Sequence, residues 1–307
     1  MRKISKVLLM NFLKYISCLI FLALSCATTA SGGDNRPEIE PGAWLRNVKV
    51  NYDVDKVAHY GIVQIYFPKN YNRDTVSRTL IVLHGYRQKP EDWEAGTPIA
   101  EYADRYGLVL VCPAMTTTLY ESRFYPETVN KWAPMPGGEY ISAILIGFLQ
   151  KNFNLARERE CTGIFGISTG ARGALLLAAR HPKIFGVAAG LSGDYDSVSM
   201  KNDRLLVSMY GPYDGNRDRW ENEVNILKLA EYLKKTPVFL GHGTLDTIVP
   251  PPQTAMLAER LKELAAEKGG YELLVDQEKS RGSGHDWTYW GRLVPDVLMF
   301  FDRKLKK

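Results

Sequence analysis

Short apolar runs alternate with helical patterns along most of the chain. Several runs are continuously apolar, as strands buried on both faces of a parallel sheet are. Seven runs are predicted as strands: Gly61–Phe67, Leu80–Leu83, Leu108–Cys112, Thr162–Phe165, Val187–Leu191, Pro237–Leu240 and Tyr271–Val275. Six segments are predicted as helices: Glu91–Tyr106, Glu139–Phe153, Thr169–Arg180, Asn222–Lys235, Pro252–Lys268 and Tyr289–Lys304. This alternation predicts an α/β fold with a mostly parallel central sheet and helices on both faces.

Two long stretches interrupt the alternation, Met115–Gly138 and Gly193–Trp220. Each follows the end of a predicted strand, where open α/β sheets bind ligands, and long loops in compact domains are often functional. Their aromatic side chains either stack on sugar or phenolic rings of a substrate or only pack the loops. The aromatic residues concerned are Tyr120, Tyr125, Trp132, Tyr210, Tyr213 and Trp220.

The first 26 residues have the pattern of an export signal. Four basic residues and no acidic ones occur there, and the apolar run Tyr15–Ser25 is too short to span a bilayer. Ala23-Leu24-Ser25-Cys26 resembles the lipobox of bacterial lipoproteins, which predicts lipidation of Cys26. Plain signal cleavage nearby, after Ala27 or Ala30, is the alternative. Either way the protein is expected to be exported, as a bacterial lipoprotein in the periplasm or on the cell surface, or as a secreted protein.

Residues 27–43 are mostly small and polar and are predicted to be a flexible tether. Residues 44–307 are predicted to be a single α/β catalytic domain. The leader's four bases account for most of the net charge of +5, so we expect no nucleic-acid partner, and a membrane contact only through the anchor. Cys112 and Cys161 lie at opposite ends of two predicted strands and are interpreted as unpaired core residues. No Cys/His spacing indicates a metal, and no cofactor is expected.

Candidate chemistry begins at Gly166-Ile167-Ser168-Thr169-Gly170, which joins a predicted strand to a predicted helix. A serine on such a sharp turn lies close to neighbouring backbone, so side chains at the two glycines would clash. The turn exposes the hydroxyl, and the helix N-terminus favours negative charge beside it. Ser168 is therefore the predicted nucleophile, although the five-residue motif alone is weak.

The serine needs a base, and a neutral imidazole suits neutral pH. Of the five histidines, His285 alone comes late enough, because the acid and then the histidine follow the serine in enzymes with this turn. Asp246, in the turn after Pro237–Leu240, is the predicted acid, which would hold the imidazole tautomer. Asp194 is the alternative acid. Asp286, next to the histidine, is interpreted as structural.

Two backbone donors must stabilise the oxyanion. The N–H of Thr169, directly after the nucleophile, is one candidate. The loop after Leu80–Leu83 should supply the other, and we favour the N–H of Tyr86, with Arg87 next. His84 is expected to be a structural hydrogen-bonding residue.

An ordered set of motifs resembles the esterase D / feruloyl esterase-like branch of the α/β hydrolases over about Lys49 to Leu305. The matching motifs are Leu83-His84-Gly85, Pro136-Gly137-Gly138-Glu139, Gly166–Gly170, His181-Pro182-x-x-Phe185, Leu191-Ser192-Gly193, Gly243–Pro250 and Gly284-His285-Asp286-Trp287. The resemblance implies the α/β-hydrolase fold and an acyl-enzyme ester hydrolase that needs no cofactor. This chain departs from the family's Ser-Met-Gly-Gly, and Arg172, four residues after the serine, is expected to pair with an acidic neighbour rather than to face the substrate.

The leading hypothesis is therefore a serine carboxylic ester hydrolase, acting on small-molecule or polysaccharide esters such as feruloyl or acetyl esters. An acyltransferase that uses the same triad is the second hypothesis. The third is a non-catalytic surface binding module that keeps the fold.

Overall fold

The computed structural model describes residues 38–268, 273–276 and 278–307. The predicted leader, Cys26 and most of the predicted tether lie outside the described residues. The strands in the described part are β1 (Ala43–Val54), β2 (Val57–Phe67), β3 (Arg78–Leu83), β4 (Leu108–Pro113), β5 (Thr162–Ile167), β6 (Val187–Leu191), β7 (Val238–Gly241) and β8 (Leu273–Asp276). They form one sheet in the order β1-β2-β4-β3-β5-β6-β7-β8.

The sheet is mostly parallel, as predicted. β1 pairs antiparallel with β2, and β2 pairs antiparallel with β4, whereas every pairing from β4 to β8 is parallel. All seven predicted strands are present: Val187–Leu191 has the predicted bounds, and the ends of the others differ by a few residues. Tyr271 and Glu272, the predicted start of the last strand, lie outside the described residues. β1 was not predicted, and it begins at Ala43, the last residue assigned to the tether.

The helices are α1 (Asp92–Gly96), α2 (Ile99–Tyr106), α3 (Gly137–Glu139), α4 (Ile146–Phe153), α5 (Thr169–Arg180), α6 (Arg204–Tyr210), α7 (Ile226–Leu229), α8 (Pro252–Lys268) and α9 (Trp287–Lys304). A π-helical segment, Tyr140–Leu145, joins α3 to α4, and a second one is Arg219–Glu223. Short 3₁₀ turns are Arg159–Cys161, Tyr213–Gly215 and Ala230–Leu233. Among the described residues, none of these helices combines the length and apolar character needed to cross a bilayer.

Three predicted segments are corrected by the structure. The predicted helix Glu91–Tyr106 is two helices, α1 and α2, because Pro98 has no N–H to continue the first one. The predicted helix Asn222–Lys235 is divided into short pieces, with Asn225 capping α7 through its side chain. The predicted loop Gly193–Trp220 contains α6, which Asp203 caps.

Helices cover both faces of the sheet. Ile81 and Leu83 of β3 belong to one core cluster with side chains from α4, α5, α7 and α8. Leu80 and Val82 belong to the other, with side chains from α1, α2 and α9. Adjacent residues of one strand are therefore buried on opposite faces, which explains why the strand is continuously apolar.

A third, smaller cluster lies between the two long loops, which follow β4 and β6. It consists of Leu119, Tyr125, Leu206, Met209, Tyr210, Trp220 and Val224. Hydrogen bonds from Val129 N–H to the Ser208 carbonyl and from the Thr128 hydroxyl to the Met209 carbonyl join the same two loops. We call these two loops, residues 114–136 and 192–225, the paired loops.

Cys112 and Cys161 are buried and unpaired, which confirms their interpretation as core residues. Burial raises the pKa of both thiols. Neither side chain is therefore a reactive thiolate at neutral pH.

Candidate active site

Ser168 lies on a tight turn between β5 and α5. Its φ of 53° and ψ of −126° are an unusual conformation for a residue with a side chain, and its N–H donates to the Leu191 carbonyl over 2.9 Å. A Cβ atom at Gly166 would lie well under 3.0 Å from the Gly170 backbone, and one at Gly170 equally close to the Leu83 carbonyl. Backbone atoms cannot move aside, so the turn requires both glycines.

The structure brings Ser168, His285 and Asp246 together. His285, in the loop between β8 and α9, has its Nε2 2.9 Å from the Ser168 Oγ. Its Nδ1 lies 2.6 Å from Oδ2 of Asp246, which is in the loop after β7. Ser168 and His285 are partly exposed and can be reached by a substrate, whereas Asp246 is buried.

Four donors surround the Asp246 carboxylate. The backbone N–H groups of Ile248 and Val249 both donate to Oδ1 over 2.9 Å. Oδ2 faces Nδ1 of His285 and, at 3.1 Å, Nε2 of His242. Burial by itself would raise the pKa of Asp246, but the hydrogen bonds from His242, His285 and Val249 outweigh it and hold that pKa well below its usual range.

His242 is the residue at this site that sequence reasoning missed. It is only 7% exposed, and because it precedes Asp246 along the chain it does not fit the order in which the base follows the acid. Its position four residues before Asp246 in the same turn was the available signal. His285 remains the imidazole that contacts the serine.

The neighbours of His285 hold the loop rather than take part in the triad. The Asp286 side chain accepts the Tyr289 N–H and caps α9, which confirms its structural interpretation. The Trp290 ring lies edge-on to His285, with 5.1 Å between ring centroids, and its indole N–H donates to the Ser192 hydroxyl.

The loop after β3 lies against the nucleophile, since a Cβ at Gly85 would be 3.0 Å from the Ser168 Cβ. In this loop the Gly85 N–H donates to Oε1 of Gln88 over 2.8 Å, and the Arg87 N–H donates to the Thr116 carbonyl. Among the described residues, the Tyr86 N–H has no such partner, and Thr169 is the first residue of α5, whose N–H has no carbonyl one turn earlier. These two N–H groups remain the candidate oxyanion donors.

His84 is buried and structural, as predicted. Its Nε2 accepts the Met115 N–H over 2.9 Å, and its Nδ1 lies 2.7 Å from the Gly85 carbonyl. Burial lowers the pKa of His84. The residue therefore ties the end of β4 to the loop that carries Tyr86.

Arg172 pairs with acidic neighbours, as predicted, and is fully buried. It donates to Oδ2 of Asp194 over 3.1 Å, lies 3.7 Å from Glu121, and donates to the Val224 carbonyl over 2.6 Å. Burial raises the pKa of Asp194 although Arg172 acts in the opposite direction. The alternative acid is thus engaged by Arg172, whereas Asp246 contacts the imidazole.

Most aromatic side chains of the paired loops pack inside the protein. The buried ones are Tyr120, Tyr125, Tyr195, Tyr210 and Trp220. Phe124, Trp132 and Tyr213 are partly exposed; Trp132 packs against the core cluster of Ile81 and Leu83, and Tyr213 packs against the third cluster. Among the described residues, no group of three His, Cys, Asp or Glu side chains could hold a metal ion.

The protein is similar to known esterases and acyltransferases. An acetyl esterase from Caldicellulosiruptor saccharolyticus is 25% identical over 256 residues, covering 76% of this chain and 88% of that protein. The diacylglycerol acyltransferase/mycolyltransferase Ag85A of Mycobacterium tuberculosis is 26% identical over 242 residues, covering 70% of each. The structure of FphF, a fluorophosphonate-binding serine hydrolase of Staphylococcus aureus, matches with a TM-score of 0.64 and 18% identity over 86% of this chain and 99% of that one.

The structural match confirms the predicted α/β-hydrolase fold. The Esterase family model matches residues 61–301, which is most of the chain and includes the three side chains brought together around Ser168. The chain therefore belongs to the Esterase family, and it is a carboxylic ester hydrolase built on the α/β-hydrolase fold.

Proposed function

We infer that this enzyme cleaves esters through a Ser168–His285–Asp246 triad and a covalent acyl-enzyme. The observation that carries the proposal is the continuous chain of short contacts, 2.9 Å from Ser168 Oγ to His285 Nε2 and 2.6 Å from His285 Nδ1 to Asp246 Oδ2. A serine hydroxyl within hydrogen-bond reach of an imidazole that is oriented by a carboxylate is the arrangement that activates a weak nucleophile.

The reaction proceeds in two halves. His285 Nε2 takes the proton of Ser168 as its Oγ attacks the ester carbonyl, and the backbone N–H groups of Thr169 and Tyr86 stabilise the oxyanion. The imidazolium then gives its proton to the departing alkoxide, which leaves as the alcohol. In the second half His285 takes a proton from water, the resulting hydroxide attacks the acyl carbon, and Ser168 recovers the proton as the acid is released.

The substrates proposed are acetyl or phenolic (feruloyl) esters of small molecules or of polysaccharides. Similarity to an acetyl esterase supports a small acyl group. A ring-containing alcohol part is proposed to stack on the partly exposed rings of Trp132 and Tyr213.

Hydrolysis of p-nitrophenyl acetate and methyl ferulate tests the proposal. Ser168→Ala should lose hydrolysis and should no longer be labelled by a fluorophosphonate probe, because it removes the hydroxyl that contacts Nε2 of His285. Ser77→Ala, at the amino end of β3 and so at the opposite end of the sheet, is the matched control and should keep full activity. Equal rates for Ser168→Ala and the wild type would refute the proposal, and a wild type that the probe does not label would favour the binding-module hypothesis.

Acyl transfer to a sugar hydroxyl is the second candidate, favoured by the similarity to Ag85A. The same acyl-enzyme would be attacked by an alcohol instead of water. Product analysis with p-nitrophenyl acetate and methyl glucoside distinguishes the two: a transferase yields mainly acetylated glucoside, and a hydrolase yields mainly acetate.

Export and lipidation are proposed from the N-terminal pattern alone. Lipid attached to Cys26 would anchor the enzyme to a bacterial membrane. Cys26→Ala should lose labelled fatty acid and leave the membrane fraction, whereas Cys18→Ala, inside the apolar run, should lose neither. An unchanged distribution of Cys26→Ala would refute the anchor and favour plain signal cleavage.

A further inference from the structure

Two imidazoles contact the carboxylate of Asp246, and both face the same oxygen, Oδ2. His285 Nδ1 lies 2.6 Å from Oδ2 of Asp246, and His242 Nε2 lies 3.1 Å from it. Oδ1 is occupied by two backbone N–H groups of the same loop. All four acceptor positions of the carboxylate are therefore filled, and Oδ2 divides its charge between the imidazole that contacts the serine and one that does not.

The contacts of His242 determine which of its nitrogens carries the proton. Nε2 lies 2.9 Å from the Val249 carbonyl, which only accepts hydrogen bonds, so Nε2 must be protonated. Its single N–H is shared between that carbonyl and Oδ2 of Asp246. Nδ1 lies 2.7 Å from the hydroxyl of Thr254 on α8, which can donate to it. Thr254 is 2% exposed, so its contact with His242 is closed to solvent.

The geometry points to His242 as a positioning residue of the triad, which holds the carboxylate of Asp246 and limits how much of its negative charge reaches His285. This inference rests on the proposed triad and deepens it. His242 fixes one end of the Asp246 loop through Val249 as well, since Val249 donates to Oδ1 through its N–H and accepts from His242 through its carbonyl. Thr254 in turn fixes the ring of His242.

Three other ionisable groups of the loops and helix around this site have partners of their own. Asp286 caps α9, Asp194 is paired with Arg172, and the Tyr289 hydroxyl lies 2.9 Å from that of Ser280. The backbone of Asp276, at the end of β8, pairs with Gly241, directly before His242. Burial raises the pKa of Tyr195, in the loop after β6.

Removing the imidazole should change the chemical step and not substrate binding. In His242→Leu, His285 is the remaining imidazole that contacts Oδ2 of Asp246. The Asp246 carboxylate is then held less firmly, and more of its charge stabilises the imidazolium of His285. We expect kcat to fall by about 10- to 100-fold, as for a misplacement of a catalytic group by about 1 Å, with KM nearly unchanged. The apparent pKa of the acid limb of kcat against pH should rise. His242→Gln, whose amide N–H can reach the position of Nε2, should recover most of the kcat.

Thr254→Val tests the same contact without altering His242 or a residue that touches Asp246. Loss of one hydrogen bond to Nδ1 should lower kcat about fivefold and move the acid limb in the same direction. Thr236→Val is the matched control, because Thr236 is equally buried (1% exposed) but lies before β7, at the far end of the strand. It should leave both kcat and the acid limb unchanged.

All rates are measured with p-nitrophenyl acetate per active site titrated by a fluorophosphonate, so that misfolded protein is not counted. A purely structural role would lower the thermal midpoint and the titrated fraction but leave kcat per site and the acid limb unmoved; that result overturns the inference. If His242→Leu does not fold, Thr254→Val decides: behaviour like that of Thr236→Val overturns the inference. An active Ser168→Ala would instead refute the proposed function, so the two failures are distinguishable.

Discussion

Replacing Asp246 by asparagine alters one atom of the triad, and the surroundings of the carboxylate determine where that atom goes. Oδ1 accepts two backbone N–H groups, which cannot become acceptors. The amide oxygen of the asparagine must therefore take the Oδ1 position, and its NH₂ group must face the two imidazoles. His242 cannot adapt, because the Val249 carbonyl keeps its Nε2 protonated.

His285 is then the group that changes. Its Nδ1 must become an acceptor for the new NH₂ group, which moves the proton to Nε2, opposite the Ser168 hydroxyl. An imidazole in that tautomer cannot take the serine proton. The expected loss in kcat is about 10⁴-fold, equivalent to about 5.4 kcal/mol of transition-state stabilisation.

Steady-state hydrolysis of p-nitrophenyl acetate by Asp246→Asn measures the loss, and the rate of fluorophosphonate labelling gives a second reading of the nucleophile. Asp286→Asn is the matched control, because asparagine caps a helix as well as aspartate does, and it should keep wild-type activity. A kcat for Asp246→Asn within about tenfold of the wild type would refute the reasoning, since even one misplaced hydrogen bond is worth that much.

Three further outcomes are expected. Gly170→Ala should destabilise the protein by about 1–3 kcal/mol or more, because the new Cβ would overlap the Leu83 carbonyl. Gly147→Ala on α4, where a Cβ meets nothing within 4 Å, should stabilise the protein by about 0.5–1 kcal/mol. Urea unfolding measures both changes. Arg172→Met leaves the buried carboxylate of Asp194 without its cation and should cost about 3–5 kcal/mol in the same assay, so an unchanged midpoint would contradict this prediction. The pKa of Asp246 is lowered in the folded state, so the stabilising contribution of this carboxylate is complete above about pH 4, the unfolded value, and is lost as pH falls towards the folded value. The difference in thermal midpoint between wild type and Asp246→Asn should therefore shrink below about pH 4. A difference that stays constant down to about pH 2 would contradict this prediction.

The buried centre of the sheet could be predicted closely from the sequence. Val187–Leu191 and Thr169–Arg180 have the predicted bounds, because a strand buried on both faces and the helix behind the nucleophile leave continuous apolar signals with sharp ends. β1 gives no such signal. Only Val50 and Tyr52 of this edge strand are buried, so its apolar residues alternate with polar ones and no continuous run marks it.

Other differences reflect tertiary contacts that a local pattern does not contain. α6 is seven residues long, too short to form by propensity, and it forms because Leu206, Met209 and Tyr210 are buried in the third core cluster. At the site, the order of residues along the chain was enough to select three side chains that meet. That order could not reveal His242, because a residue that contacts the acid but not the serine has no fixed place in the sequence order of the three residues.

The paired loops have a consequence for how this enzyme can diversify. Ser168, Asp246 and His285 follow β5, β7 and β8, respectively. The paired loops follow β4 and β6 and share a small core of their own. Arg219–Glu127 and Arg123–Glu223 contacts join them further. Because the two loops share this packing, a change of sequence in one loop should require a matching change in the other, while Ser168, Asp246 and His285 keep their positions after other strands.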